Sequence, residues 1–512
     1  MNILKSLVSV SIITFLSRIL GFFRDVLIAH TFGISIFTDA FFTAFKIPNL
    51  LRRIFAEGVF TQSFVPVLVE YKHQKSEKYI QYFISCVFGL MIFLLFILTV
   101  LGIFFARNII MISAPGFSKS LYKLTLATNL LTVMFPYILL ISLSSLLSSI
   151  LHAWNYFSIP SISPIFLNLS MIIFLFFFHS YFHPNIFALA WSVIIGGMIQ
   201  LFYQLPYLYK INMFVMPIIN LKHSGITRVL KKIGSTIIGS SANQISLIIN
   251  TVFSSLLNVG SISWIYYADR LIEFPIGIFG ISLSTILFTS LSKHYHEGIV
   301  KKYQQSLDWS IRLSLILGVP SALVCFICAK PLIIILFQYG KFTEYDVLMT
   351  QKVLELYSFG LVSFILVKLL SCAFYACEEI HIPMRVSIIT IFFTQLINPI
   401  LIFYFKHAGL ALSISLSSWF NFLFLYWKLY QKNLFSFKYN WYIFIFRLFC
   451  SSTLMVLILL LMLYIMPSWD IGSICNKIFR LFCILFCSVI VYFSALYFLG
   501  LRLFTFLHNI QK

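Results

Sequence analysis

The sequence predicts an all-α, polytopic membrane protein with fourteen transmembrane helices. Of its 512 residues, 60% are hydrophobic and only 10% are charged, whereas a soluble globular protein carries about 25% charged residues. The apolar residues form long continuous runs, and a helix of roughly 20 such residues crosses a bilayer. These observations exclude a water-soluble enzyme, a disordered chain, a secreted disulfide scaffold and a membrane β-barrel, whose strands alternate in polarity.

Each of the fourteen apolar runs predicts one helix. The first run follows Lys5 as in a signal peptide, but Arg18, Arg24 and Asp25 interrupt it and no small-residue cleavage site follows, so we expect a retained helix. The run at 331–338 is too short to span the bilayer and predicts an interfacial or re-entrant segment. The predicted helices cover residues 3–31, 34–56, 79–106, 123–152, 160–182, 186–209, 229–257, 262–292, 305–329, 348–376, 383–405, 408–430, 440–466 and 478–503.

The basic residues predict the orientation of the chain in the membrane. The sequence has 36 Lys and Arg against 15 Asp and Glu, a formal net charge of +21, and cytoplasmic loops are enriched in Lys and Arg. Four loops that follow even-numbered helices carry clusters of basic residues, whereas the loops after helices 1, 5 and 7 carry none. We therefore expect both termini in the cytoplasm and no binding of nucleic acid. The opposite side has a smaller set of basic residues: Arg107, Lys119, Lys123, Lys330, Lys341 and Lys352.

A weak internal repeat predicts two similar lobes. Three pairs of similar segments recur in the same order at nearly one spacing, with these equivalent residues: Phe41 and Tyr266 (225 apart), Phe117 and Phe342 (225 apart), and Pro160 and Pro383 (223 apart). Six helices separate equivalent points, and an even number makes the two halves parallel, a known plan among transporters. We predict two parallel six-helix lobes, residues 1–222 and 223–436, followed by two C-terminal helices in residues 437–512.

Charged residues inside the first two helices are the candidate functional site. Helix 1 contains the stretch SRILGFFRD, which places Ser17, Arg18, Arg24 and Asp25 within the apolar run. A charge at the bilayer centre costs about 2.5–3.5 kcal/mol on insertion scales. Several such charges are tolerated only if they face water, one another or a charged ligand.

Helix 2 adds charges at a spacing of seven residues, which places Asp39, Lys46 and Arg53 on one stripe, with Arg52 beside them. The basic residues of helices 1 and 2 outnumber Asp25 and Asp39, so pairing cannot neutralise the set and an anion is missing. Clustered arginines suit phosphate, because the planar guanidinium donates two parallel hydrogen bonds. We predict that the anion is the diphosphate of a lipid carrier whose tail stays in the bilayer.

Structural explanations compete with this interpretation for individual residues. Arg52 and Arg53 lie near a helix end, where they can extend to the interface without binding anything. Arg24 and Asp25 can pair for folding alone. In the second half, Arg270 and Glu273 are three residues apart on a helix and can neutralise each other.

The sequence offers no catalytic, metal or cofactor site. It has no phosphate-binding loop, and the pairs Cys325/Cys328 and Cys483/Cys487 lie in apolar runs without nearby His or carboxylates. The His residues predict solvated loops. We therefore expect a transporter that is not an enzyme and has no cofactor. Uphill movement would be driven by a coupling ion, sodium or chloride, or by the membrane potential.

Several motifs resemble those of the MurJ (MviN) family of lipid II flippases, which belongs to the multidrug/oligosaccharidyl-lipid/polysaccharide exporter superfamily. The most specific are SRILGFFRD in helix 1 and TDAFF-x-AFKIPNLLRRIFAEG from Thr38 to Gly58. Further segments resembling the family are FVPVL-x-EYK, FPYILLISL, NYFSIP, QLPYL, QISLIINT, SWIYYADRLIEFP and FQYGKFTEYD, so the resemblance runs nearly end to end.

The resemblance implies a function and a set of site residues. Family members move lipid II, the undecaprenyl-pyrophosphate-linked disaccharide-peptide, from the inner to the outer leaflet of the bacterial cytoplasmic membrane by alternating access. Carried over by motif, the substrate-binding residues are Arg18, Arg24, Asp39, Arg52 and Arg270. The supporting residues are Ser17, Asp25, Lys46, Arg53 and Glu273. The resemblance also implies that residues 437–512 form a groove for the lipid tail, and we expect a monomer whose partners are lipid II and membrane lipids.

Other functions remain open from the sequence. A cation-coupled drug exporter, or an exporter of another polyprenyl-linked oligosaccharide, would share the fold, although a drug exporter should favour buried carboxylates. A membrane glycosyltransferase or lipid phosphatase would need an acid/base or metal cluster at a membrane face. A structural scaffold would tolerate the change Arg24→Ala if folding survives.

Overall fold

The computed structural model describes residues 3–52, 59–220, 224–435, 440–469 and 471–501, and these residues form a helical bundle protein. Short 3-10 or π-helical segments at Pro115–Lys119, Phe174–Phe178, His179–Tyr181 and Ile276–Ile281 connect or extend the α-helices. The α-helices are α1 (Ile3–Phe32), α2 (Ile36–Arg52), α3 (Val59–Gln74), α4 (Glu77–Phe104), α5 (Ala106–Ser113), α6 (Leu121–Met134), α7 (Tyr137–Ala153), α8 (Ser158–Ile173), α9 (Phe187–Phe202), α10 (Leu205–Lys210), α11 (Ser224–Ser255), α12 (Ser261–Pro275), α13 (Ser282–His296), α14 (Val300–Ile327), α15 (Ala329–Phe337), α16 (Glu344–Ala376), α17 (His381–Phe405), α18 (His407–Gln431), α19 (Asn440–Ile465) and α20 (Ile474–Phe498).

The described residues contain eleven helical segments that are long and apolar enough to cross a membrane. This confirms the prediction of an all-helical, multi-pass membrane protein. Helices α1, α2 and α11 are not among the eleven. Two of these three, α1 and α2, carry charged residues of the candidate site.

Several predicted spans consist of two helical pieces. The predicted helix at 123–152 is α6 followed by α7, with the break at Phe135 and Pro136, where proline lacks the N–H that would continue the helix. The predicted helix at 262–292 is α12, a π-helical turn and α13. The short apolar run forms α15, whose nine residues extend about 14 Å, too short to cross the bilayer.

The chain divides into two compact units, Met1–Ser263 with Tyr339–Lys341, and Trp264–Gln338 with Phe342–Lys512. Unit 1 holds α1–α11 and the first turn of α12; unit 2 holds the remaining helices. This grouping follows contacts in space, and it includes α11 in unit 1. The predicted lobes follow the sequence repeat instead and remain a proposal.

In unit 1, α3, α4, α7 and the start of α11 share an aromatic and aliphatic core. The rings of Phe64 and Phe83 are stacked with centroids 5.8 Å apart, and Tyr71 meets Phe83 edge-on at 4.9 Å. At the end of this core, Arg228 of α11 donates to the carboxylate of Glu70 at 3.0 Å. Of these helices, α7 also packs against α2.

In unit 2, α16 is the central helix. It packs against α13, α14 and α18, and its buried residues are distributed around most of its circumference, as expected for a helix enclosed by others. Close packing with α18 depends on Gly360, because an added Cβ would lie 2.7 Å from Cα of Ser415. The N-terminus of α16 is closed by a capping box in which Thr343 and Asp346 exchange hydrogen bonds.

Candidate functional site

Arg24 of α1 is buried, and its guanidinium donates to Asp25, Asn168 and the sulfur of Met171. Its Nε and Nη2 donate to one oxygen of Asp25, at 3.0 and 2.7 Å, and its Nη1 donates to Oδ1 of Asn168 at 3.0 Å. Asp25 is 1% exposed. The sequence predicted the Arg24–Asp25 pairing as one alternative, and Asn168 of α8 is a partner that sequence reasoning missed.

Asn168 also fixes α1 against α8. Its Nδ2 donates to the backbone oxygen of Ser17 at 3.2 Å, and a Cβ added at Gly21 would lie 3.3 Å from the same nitrogen. A side chain at position 21 would therefore crowd the amide. Arg18 lies one turn before Gly21, and its side chain is exposed. In the sequence, the only feature that could have pointed to Asn168 was its polar amide within an otherwise apolar run.

The carboxylate of Asp39 in α2 accepts four hydrogen bonds. Oδ2 accepts from Lys123 Nζ at 3.0 Å and from the backbone N–H of Gly260 at 2.8 Å. Oδ1 accepts from the backbone N–H of Ser263 at 3.1 Å and from its hydroxyl at 2.8 Å. Four donors thus stabilise a carboxylate that is 1% exposed, which is the condition for burying a charge.

The position of Asp39 explains these partners. Gly260 and Ser263 flank the start of α12, where N–H groups lack helical acceptors and the helix dipole favours negative charge. Asp39 therefore caps α12 from another helix. The ionic partner of Asp39 is Lys123 of α6, because the first turn of α6 packs beside the first turn of α2.

The sequence placed Lys123 with the basic residues of the opposite side, at the start of the predicted helix 123–152. It lies in the first turn of α6, after Ser120 caps that helix, and its side chain is only 9% exposed. Its ammonium lies 4.3 Å from the ring centroid of Phe117, a cation–π geometry. No local pattern distinguishes this lysine from a solvated one, so only the packing identifies it.

The remaining basic residues of α2 have polar neighbours. Lys46 donates from Nζ to the Thr251 hydroxyl of α11 at 2.8 Å. Arg52, at the end of α2, donates from Nε to Oδ1 of Asn49 at 2.9 Å and is half-buried. Arg53 lies outside the described residues.

In unit 2, Arg270 of α12 pairs with Glu273. Nη1 lies 2.8 Å from Oε2, and the guanidinium lies 4.8 Å from the ring centroid of Tyr266. The side chains are 31% and 59% exposed. The mutual neutralisation that the sequence left open is therefore present, but at an exposed position where such a pair is weak.

Unit 1 thus brings together two buried ionic clusters, Arg24–Asp25–Asn168 and Asp39–Lys123–Ser263, and it also holds Ser17, Arg18, Lys46 and Arg52. Arg270 and Glu273 belong to unit 2. Within the described ranges, no group of three or more His, Cys, Asp or Glu side chains is arranged to hold a metal ion. The chemistry that these residues offer is the binding of anions by guanidinium and ammonium groups and the exchange of ionic partners.

A family model described as "Lipid II flippase MurJ" matches residues 28–480. The chain belongs to the MurJ family. The resemblance predicted from the sequence motifs is therefore confirmed, and the matched range includes Asp39, Lys46, Arg52, Lys123 and Arg270.

MurJ relatives match the chain over most of its length. "Probable lipid II flippase MurJ" of Buchnera aphidicola subsp. Schizaphis graminum is 64% identical over 99% of this chain and 98% of its own. "Lipid II flippase MurJ" of Burkholderia cenocepacia is 40% identical over 86% of each chain. The first alignment extends the likeness beyond residue 28 toward the N-terminus, where Arg18, Arg24 and Asp25 lie.

Solved structures agree with this assignment. "Lipid II flippase MurJ, inward closed conformation" superposes with a TM-score of 0.80 and 26% identity, covering 95% of this chain and 99% of that one. A "multidrug resistance MATE family transporter of the MOP superfamily" in an inward-facing conformation has a TM-score of 0.67 at 14% identity, over 83% of this chain and 98% of that one. The second likeness concerns the fold alone.

Proposed function

We propose that this chain flips lipid II from the inner to the outer leaflet of the bacterial inner membrane by alternating access, supplying precursor for cell-wall peptidoglycan. The observation that carries the proposal is the match to the MurJ family over residues 28–480. Relatives named as lipid II flippases align over most of the chain. The protein is a transporter and not an enzyme.

In this proposal Arg18, Arg24 and Arg270 bind the pyrophosphate of lipid II. Arg18 is exposed, so its guanidinium is accessible to an anion. Arg24 is engaged by Asp25 and Asn168, so the pyrophosphate must compete with a carboxylate for it. A doubly charged anion can do so, because charge-assisted bonds to a fork of N–H donors are strong.

Asp39 acts in the proposal as an exchangeable partner. Its carboxylate is saturated by Lys123, Gly260 and Ser263 in this structure. Movement of α12 away from α2 would remove two backbone donors at once and leave the carboxylate for another cation. Lys46, Arg52 and Arg53 would attract headgroups at the cytoplasmic mouth, with Ser17, Asp25 and Glu273 in support.

We further propose fourteen transmembrane helices, formed by the eleven apolar spans together with α1, α2 and α11. Charged residues such as those of α1 and α2 are tolerated in a membrane-spanning helix when they face the site. Lobes of residues 1–222 and 223–436, both termini in the cytoplasm and a tail groove in residues 437–512 complete this topology. We propose a monomer, driven by sodium, chloride or the membrane potential.

The proposal is tested in a bacterial strain depleted of its own lipid II flippase. Expression of this chain should restore cleavage of lipid II by a headgroup-cleaving enzyme added outside the cells. Arg24→Ala should abolish that cleavage at normal membrane levels of the protein. The matched control is Arg107→Ala, because Arg107 is an exposed arginine of α5 outside the site. If the wild-type chain is expressed and outer-leaflet lipid II is not restored, the proposal is wrong.

A further inference from the structure

The end of α1 makes a backbone contact with the segment Tyr339–Lys341. The N–H of Lys341 donates to the carbonyl oxygen of His30 at 3.1 Å. Gly33 and Gly340 both have positive φ, at +58° and +59°, which favours glycine. A Cβ at Gly340 would overlap the His30 carbonyl, and one at Gly33 would overlap the Lys341 carbonyl. Two glycines therefore allow this contact.

The end of α11 makes a similar contact with the turn Pro115–Lys119. The N–H of Gly116 donates to the hydroxyl of Ser255 at 3.1 Å. A Cβ at Gly116 would overlap the carbonyl oxygen of Ser255. The φ of Gly116 is not in the positive range that the other two glycines occupy. Glycine is therefore required here by steric crowding and not by the backbone conformation.

The two contacts are equivalent under the sequence repeat. Ser255 follows His30 by 225 residues, and Lys341 follows Gly116 by 225 residues. In each contact, a turn from one repeat donates its N–H to the end of the first helix of the other repeat. The repeats thus exchange turns reciprocally.

A third contact has the same relationship. Ser263 follows Thr38 by 225 residues, and the hydroxyl oxygens of the two side chains lie 3.1 Å apart. Equivalent positions that touch each other lie on the axis that relates the repeats. This contact adjoins Asp39, which lies next to Thr38 and accepts from Ser263. The Thr38–Ser263 contact therefore joins the two repeats beside the Asp39 cluster.

We propose that Gly116 and Gly340 are positioning residues of the transport cycle, which let two exchanged turns close the outer face of the protein and release it again. The inference rests on the proposed function and orientation, which place both turns on the outer side. Each contact consists of one backbone N–H hydrogen bond and close packing against a glycine, which has no side chain. It therefore holds the face closed without side chains inserted deeply from one partner into the other. An added methyl group at either glycine would keep the turn from docking and leave the face open.

Alanine substitutions test the proposal with a matched control. Gly340→Ala and Gly116→Ala should each prevent closure. The control is Gly298→Ala, because Gly298 also has positive φ, +73°, but an added Cβ meets nothing within 4 Å. The control therefore separates backbone strain from loss of docking. The double variant should match either single variant, since both turns close one face.

Closure is read out with a reporter cysteine at Ser261→Cys, a buried position in the first turn of α12. The background carries Cys475→Ser, which removes an exposed native cysteine, and labelling is compared with the same protein lacking the reporter. A membrane-impermeant thiol reagent added outside should label the reporter several-fold faster in Gly340→Ala and Gly116→Ala. It should label Gly298→Ala at the parent rate. Equal labelling in all three variants would overturn the proposal, and so would acceleration by Gly298→Ala alone.

This labelling does not depend on lipid II, so its outcome is separate from that of the flippase assay. If an alanine variant fails to reach the membrane, the labelling experiment is replaced by a cross-linking experiment in the protein that keeps both glycines. His30→Cys with Lys341→Cys, joined by a short thiol cross-linker, should stop flipping, and cleavage of the linker should restore it. Undiminished flipping in the fully cross-linked protein would show that the contact does not open during transport.

Discussion

The Asp39 carboxylate and the Lys123 ammonium lie 3.0 Å apart, although 84 positions separate them in the sequence. Their side chains are 1% and 9% exposed, so the pair is removed from water on both sides. Removing one partner of such a pair leaves an uncompensated buried charge, which costs more than the pair itself contributes. The same carboxylate caps α12 through Gly260 and Ser263, which couples α2, α6 and α12 at one point.

Asp39→Asn should destabilise the protein by about 3–5 kcal/mol, because it leaves the Lys123 ammonium buried without a counter-charge. The double variant Asp39→Asn/Lys123→Met should recover part of that loss, since no charge then remains. Thermal unfolding in detergent measures both. The control is Lys119→Met, at an exposed lysine nearby, which should change little. A double variant less stable than Asp39→Asn would contradict the pairing.

Asn168→Ala should cost about 1.5–3 kcal/mol, the range for a hydrogen bond to a charged group, because Arg24 Nη1 loses its amide acceptor. Flipping should fall as well, since the α1 backbone at Ser17 is released from α8. Unfolding and outer-leaflet cleavage of lipid II are measured together. Asn185→Ala, at an exposed asparagine, is the matched control. Wild-type stability in Asn168→Ala would show that the amide does not hold Arg24.

Arg270→Lys should reduce flipping while leaving the fold intact, because lysine keeps the charge but lacks the planar fork that binds a diphosphate. Glu273→Gln should change the unfolding free energy by no more than about 1 kcal/mol, since the pair is exposed. The contrast between transport and stability separates a binding role from a structural one. Equal flipping by Arg270→Lys and wild type would argue against diphosphate binding there.

Trp441→Phe should destabilise unit 2 by about 1.5–3 kcal/mol. The indole N–H of Trp441 donates to Asp308 at 2.7 Å, and the Arg312 guanidinium lies 4.6 Å from its ring centroid. Phenylalanine keeps the ring and loses the donor, so the loss reports the hydrogen bond that ties α19 to α14. Trp191→Phe, at an exposed tryptophan of α9, is the control, and an equal effect there would refute the assignment.

Much of the architecture was predictable, because the cost of an unpaired peptide group in hydrocarbon makes every long apolar run a helix. The charged face of α1 was predictable too, since Arg24 and Asp25 interrupt such a run. The breaks inside predicted spans were not predictable. A proline such as Pro136 interrupts a helix or is accommodated within it, depending on the residues that pack around it. The role of Lys123 was missed because its position after the α5 loop resembles that of any solvated lysine.

The sequence alone determined that the chain is a helical, multi-pass membrane protein of the MurJ family whose first two predicted helices carry more basic than acidic residues. Hydropathy, charge and motif identity are local properties, so they are readable without coordinates. Only the tertiary structure decided which partner each charge takes, namely Asn168 for Arg24 and Lys123 for Asp39. The partner of each charge depends on which helices lie within hydrogen-bonding distance. Asp39 and Lys123 are 84 positions apart and Arg24 and Asn168 are 144 apart, so the sequence around each residue does not indicate that the two are close in space.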